Sequence, residues 1–149
     1  MDLYKSASLQ SSFRGYDYFK NKKVISYEKI SKVEYKGIVK GSDNNYDVFI
    51  NIEHPKKNSS CNCPHAEGTK ITCKHMVALY FTIFPKKAKQ FMDEIDEHNR
   101  KVEEYYDTLD EKVQAYIKQM NKSELQQELL NCLYQEDWLY ERFAREHID

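Results

Sequence analysis

Hydrophobic and polar positions along the chain change period twice. From Ser6 to Lys20, Leu9, Phe13, Tyr16 and Phe19 recur near helical spacing and predict a short helix, with Gly15 inside it as a weak helix former. From Val24 onward the chain is rich in Val, Ile and Tyr. Tyr46, Val48, Ile50 and Ile52 alternate with Asp47, Phe49, Asn51 and Glu53, the period of a strand with one buried face. Gly41-Ser42-Asp43-Asn44-Asn45 is a turn-forming run that joins this strand to the preceding one as a hairpin. Three antiparallel strands are predicted, at roughly 23–28, 32–40 and 45–53.

His54 to Thr72 has loop composition, with Pro55, Pro64 and Gly68 and few large apolar residues. Cys73 then opens an apolar run that Pro85 closes. Its Met, Ala and Leu content predicts a helix, with Thr72 as N-cap. Beyond Pro85, Phe91, Ile95, Val102, Tyr105, Leu109, Val113 and Ile117 recur at threes, fours and one seven, which predicts a long helix from about 86 to 120. Ser123 with Gln126 forms a capping-box pattern ahead of Leu125, Leu129, Leu130 and Leu133, and Asp137 is the expected cap of a last helix carrying Trp138, Leu139 and Phe143. The expected class is α+β. A first domain over residues 1–85 holds an N-terminal helix, a small three-stranded antiparallel sheet and the helix that opens at Cys73. An all-helical region follows over 86–149.

Composition sharpens this picture. The 149 residues include 12 Tyr, 7 Phe and 1 Trp, enough aromatic surface for a packed core and too much for a disordered chain. No stretch approaches the ~18 apolar residues of a membrane span. Met1–Gln10 lacks the basic-then-apolar pattern of a secretory leader, so a cytoplasmic location is expected. The net charge of −1 conceals a division: residues 1–90 hold 16 Lys and Arg against 8 Asp and Glu, whereas residues 91–149 hold 7 against 16. The basic half suits a polyanion or the acidic half of its own chain.

Cys61, Cys63, Cys73 and His75 form the pattern C-x-C, nine residues, C-x-H. Thiolate and imidazole are the ligands zinc prefers, and four of them complete the tetrahedron of a structural site. Pro64 turns the chain away after the first pair. The second pair falls in the first turn of the predicted helix, where free N–H groups favour thiolate over thiol. Lys70 and Lys74 lie beside it and offset the −1 charge of three thiolates with one zinc ion. His65, between the two pairs, is an alternative to His75 as fourth ligand. Cys132, amid Leu129, Leu130 and Leu133, reads as a core thiol, and His54, His98 and His147 read as surface or structural residues. Four protein ligands close the metal's shell, and there is no H-E-x-x-H, no G-x-S-x-G and no phosphate-cradling glycine loop, so no enzymatic activity is expected.

These residues resemble the SWIM zinc finger, found in bacterial Swi/Snf-type helicases, plant transposase relatives and eukaryotic regulators. Ser12-Phe13-Arg14-Gly15 with Tyr18 and Val24 is similar to the S-F-x-R-G-x-x-Y…V lead-in of bacterial members, with one residue fewer between Phe and Arg. Val39-Lys40-Gly41-Ser42 with Tyr46-Asp47-Val48 resembles their V-x-G-S…Y-x-V hairpin. Cys61-Asn62-Cys63-Pro64 and Cys73-Lys74-His75-Met76-Val77-Ala78 resemble their C-S-C-P and C-K-H-I-V-A. The resemblance implies one structural zinc ion in a strand–strand–helix fold that binds DNA or protein.

Two partner classes follow. Nucleic acid, with DNA favoured, would meet Lys56, Lys57, Lys70 and Lys74 around the finger, each a point charge for phosphate, with Tyr16, Tyr18 and Tyr35 available for base stacking. Alternatively, the acidic helices serve protein–protein assembly, with a partner such as a helicase or with a second copy of the chain, and the zinc is purely structural.

Overall fold

The computed structural model describes residues 2–148 and divides the chain into two compact units, Met1–Ile95 and Asp96–Asp149. The first unit begins with a 3-10 turn, Leu3–Ser6, and helix α1, Leu9–Lys20. Ser8 caps α1 by accepting the Ser11 N–H at 3.1 Å. The helix ends with Lys22 at φ 51°, and the Lys23 N–H returns to the Tyr18 carbonyl at 2.9 Å, which closes the last turn in the manner of a Schellman motif.

A four-stranded antiparallel sheet follows in simple order β1-β2-β3-β4, with β1 at Val24–Lys29, β2 at Glu34–Lys40, β3 at Asn45–Asn51 and β4 at Ser60–Cys61. The expected sheet had three strands. The fourth is two residues long, too short to show a period, and is set by pairing of Cys61 with Val48 and Ser60 with Phe49. The β2–β3 hairpin forms where the turn-forming run lies, with the Gly41 N–H on the Asn44 carbonyl at 2.8 Å. On β2, Tyr35, Gly37 and Val39 face inward, and on β3 Val48 and Ile50 do the same. β1 is an outer strand whose Ile25 and Tyr27 remain exposed. Between β3 and β4 a single helical turn, α2, Pro55–Asn58, interrupts the expected loop. Asn51 Oδ1 leads into it by accepting the N–H groups of Glu53 (3.1 Å) and His54 (2.8 Å).

Helix α3, Lys74–Ile83, is the hub of this unit; every residue from His75 to Phe81 is buried. α1 crosses it so closely that Gly15 lies against Val77, and the sheet covers another side. Rings of Tyr4, Phe13, Tyr16, Phe19, Phe81 and Phe91 meet at centroid separations of 5.3–6.3 Å. Phe91 and Ala88 belong to α4, Pro85–Gln119, whose beginning completes the core. Tyr35 is a core residue, 7% exposed with its ring edge-on to Phe84, so it is not available for base stacking; Tyr16 is half-buried and packs against the core.

The second unit holds the remainder of α4, α5 at Lys122–Gln135 and α6 at Asp137–His147. Asn121 caps α5 with Glu124 reaching back to the Asn121 N–H, a capping box two residues upstream of the expected Ser123–Gln126 pair. Glu136, not Asp137, occupies the N-cap position of α6, without a side-chain hydrogen bond. α5 packs on α6, with Leu133 buried and the rings of Tyr134 and Tyr140 stacked at 5.7 Å. Cys132 is exposed, which corrects its assignment as a core thiol: on the helix it is turned away from the direction of Leu133. No helix of the described residues is long and apolar enough to cross a membrane.

Candidate metal centre

The short β3–β4 pairing places the first two sulfurs. Cys61 is fixed opposite Val48, and Asn62 braces the next turn: its Oδ1 accepts the Asp47 N–H at 2.9 Å and its own N–H donates to the Asp47 carbonyl at 3.3 Å. The chain then reverses over Cys63, whose carbonyl accepts from Ala66 (3.0 Å) and Glu67 (2.9 Å). The other pair comes from the start of α3. Cys73, not Thr72, is the N-cap residue; Thr72 is buried, with its hydroxyl 2.9 Å from that of Ser6. His75 stands in the first turn of the helix.

The four side chains converge. Their ligand atoms all lie within 4.8 Å of one another, and all four residues are buried. His75 Nδ1 is 3.8 Å from the Cys61 sulfur and 3.9 Å from that of Cys73. A tetrahedron with Zn–S of about 2.3 Å has a ligand–ligand edge of about 3.8 Å, so the spacing fits a zinc-type ion. Cys61, Cys63 and Cys73 are free thiols, none in a disulfide. His65, the alternative ligand, is exposed and outside the cluster.

Electrostatics within the cluster are uneven. The Cys73 thiol is pulled down to about 4, first by the hydrogen bond from Cys61 and then by His75 and the Met76 N–H at the helix start, against the opposing effect of burial. The same bond with Cys73, together with burial, pushes the Cys61 thiol up. Burial and the neighbouring Cys73 charge raise Cys63. Cys73 is thus the first of the three to present a thiolate.

The His75 ring is clamped by two tyrosines. Tyr46 stacks on it at 4.6 Å between centroids, and Tyr18 meets it edge-on at 5.4 Å. Tyr18 in turn carries the Lys74 ammonium 4.8 Å above its own ring. Of the lysines singled out in the sequence, Lys74 alone lines the cleft beside the cluster; Lys56 and Lys57 lie exposed on α2, and Lys70 is exposed in the loop before Cys73. Arg14, from α1, lines the same cleft. In the sequence Arg14 stands in the Ser12–Gly15 lead-in and is the only arginine before Arg100.

Three thiols and an imidazole at tetrahedral spacing define a zinc-type metal site. Residues 46–84 match the family model of the SWIM zinc finger. The match takes in Tyr46 and all four clustered residues, and it begins after the Ser12–Gly15 lead-in. No curated protein and no solved structure matches the chain.

Proposed function

We propose that this protein is a non-catalytic, cytoplasmic nucleic-acid-binding module built around one structural zinc ion, with DNA as its main partner and a larger DNA-processing assembly, such as one containing a helicase, as its setting. Cys61, Cys63, Cys73 and His75 hold the ion. Four protein ligands leave no coordination position for a reacting water, so the metal supplies fold and charge and takes no chemical step. The observation that carries the nucleic-acid reading is the charge of the unit that holds the finger: residues 1–95 contain 16 Lys and Arg against 10 Asp and Glu. Lys56, Lys57, Lys70 and Lys74 contact phosphate without reading sequence.

Fluorescence anisotropy with generic duplex and single-stranded DNA across a salt series tests this. The expected result is binding at low salt that falls steeply as salt rises, and that is lost on combining Lys56→Glu with Lys57→Glu. Absence of binding at low salt by zinc-loaded protein refutes it.

A second reading, assembly through the acidic helical unit, is favoured by one specific observation. Val102, Tyr106, Leu109, Val113 and Tyr116 repeat at 4-3-4-3 spacing along α4, and Val102, Leu109 and Val113 are each 38–46% exposed. Sedimentation of the full chain distinguishes the two: a species of about twice the 17.8 kDa protomer, with no DNA binding, makes assembly the primary role.

A further inference from the structure

We infer that the apolar stripe of α4 between Asn99 and Tyr116 is the seam of a two-stranded, parallel coiled coil formed with a second copy of this chain. The inference rests on the assembly reading, and it adds the occupant, the direction of the helices and the residue that fixes their register.

Every residue of α4 from Asp96 to Gln119 is exposed. Asn99, Val102, Tyr106, Leu109, Val113 and Tyr116 follow one another at alternating spacings of three and four. This is the a and d alternation of a heptad repeat, with Asn99, Tyr106 and Val113 at a and the other three at d. The opposite face already has its ionic partners: Arg100 pairs with Glu97 at 2.9 Å and with Glu104, and Lys101 pairs with Glu97 at 3.1 Å, all at b, c and f positions. A lone helix is marginal in water, and its stability comes from packing its apolar stripe. α5 does not supply that packing. It packs on α6 instead, and its 14 residues span about 21 Å, less than the ~26 Å from Asn99 to Tyr116.

Charge complementarity and one polar residue choose the partner and its direction. Asp96, Glu103 and Asp110 stand at e, and His98, Tyr105 and Lys112 at g. In an antiparallel pair e faces e, which sets the acidic row against itself. In a parallel pair g faces the e position five residues further on. His98 then meets the partner's Glu103, Tyr105 meets the partner's Asp110 and Lys112 meets the partner's Ile117, and no like charges oppose each other. Asn99 is the one amide in the stripe. Its side chain carries both donor and acceptor, so a second Asn99 at the same level satisfies it, and a lone Asn at a specifies two strands in register at a cost in stability. In the antiparallel arrangement Asn99 would lie beside the partner's Tyr116 instead.

The test uses the full zinc-loaded chain. Sedimentation is expected to show a species of about twice the 17.8 kDa protomer, and Leu109→Glu is expected to return it to the protomer with one zinc per chain retained. Tyr116→Cys, combined with Cys132→Ala and treated with oxidised glutathione, is expected to give a disulfide-linked dimer. In a parallel pair the two new sulfurs share one level, whereas in an antiparallel pair they stand about 26 Å apart, beyond the reach of a disulfide. Asn99→Val is expected to tighten the dimer roughly tenfold or more, since valine and asparagine differ little in helix propensity and the gain comes from burial in the seam. A parent chain that stays a protomer at every concentration overturns both this inference and the assembly reading. A dimer that survives Leu109→Glu overturns the seam and leaves assembly through another surface standing. A dimer that Leu109→Glu dissociates but Tyr116→Cys does not cross-link overturns the parallel direction, and one that Asn99→Val does not tighten overturns the placement of Asn99 in the seam.

Discussion

Gly15→Ala sets two physical effects against each other. In an isolated helix the change is favourable, because glycine is about 1 kcal/mol worse than alanine in a helix interior. In this fold a methyl at Gly15 would sit 2.5 Å from Val77 Cβ, 2.6 Å from Val77 Cγ1 and 2.9 Å from the Lys74 carbonyl oxygen. Carbon atoms rest at about 3.5–4.0 Å, so the intrusion is about 1 Å on two carbons. No side-chain rotation relieves it, since one obstacle is a β-carbon and another is backbone. α1 must withdraw from α3 along the line where Ser12 is buried. Overpacking of this kind costs about 1–3 kcal/mol, and its upper end less the propensity gain leaves a net loss of about 1–2 kcal/mol. For a unit of this size that lowers Tm by roughly 5–15 °C. The assay is near-UV circular dichroism during heating, at fixed free zinc because the metal itself raises Tm. Asp17→Ala, at an exposed site of α1, is the propensity control. A Gly15→Ala protein melting at or above the parent temperature would show that α1 and α3 do not approach as described.

Three other outcomes follow from the same structure. Structural zinc contributes roughly 10–16 kcal/mol, at least the whole stability of a small domain, so chelation or Cys73→Ala should unfold the finger while α5 and α6 keep their helical signal; Cys132→Ala should leave the measured zinc content unchanged. The Asp2 carboxyl, despite the upward push of burial, is held below the usual range by the Lys87 ammonium at 3.0 Å and the Tyr80 hydroxyl at 3.0 Å. Its contribution is therefore full above pH ~4 and fades as pH falls through its lowered value, so Asp2→Asn should cost about 1 kcal/mol at neutral pH and flatten the acid limb of a stability-against-pH curve. Lys22→Gly, which relieves a left-handed residue at φ 51°, should stabilise the first unit by about 0.5–1 kcal/mol in urea titrations.

Much of the metal site was legible because its ligands are chemically distinctive and closely spaced: Cys61, Cys63, Cys73 and His75 meet as their pattern implied. The inward set of β3, Val48 and Ile50, followed from alternation, and the long helix α4 from its period. What the sequence hid has specific causes. β4 is held by pairing with β3 and has no period of its own. Asn121–Glu124 and Ser123–Gln126 overlap as capping patterns, and only the backbone geometry selects the first. Tyr35 sits among lysines in the chain, yet it is drawn into the core against Phe84 at the end of α3. Cys132 has leucines beside it in sequence, but Leu129 and Leu130 are themselves exposed, and of this cluster only Leu133, one 100° step away, is buried.

Helix α3 packs its obligations into ten residues: its first turn carries a metal ligand, and every side chain from His75 to Phe81 is enclosed. β1, by contrast, exposes five of its six residues. A saturation scan scored for soluble expression should therefore read as a narrow intolerant band over α3 beside a permissive β1. Drift among descendants of this chain would be paced by that ten-residue band, with β1 the place where novelty accumulates.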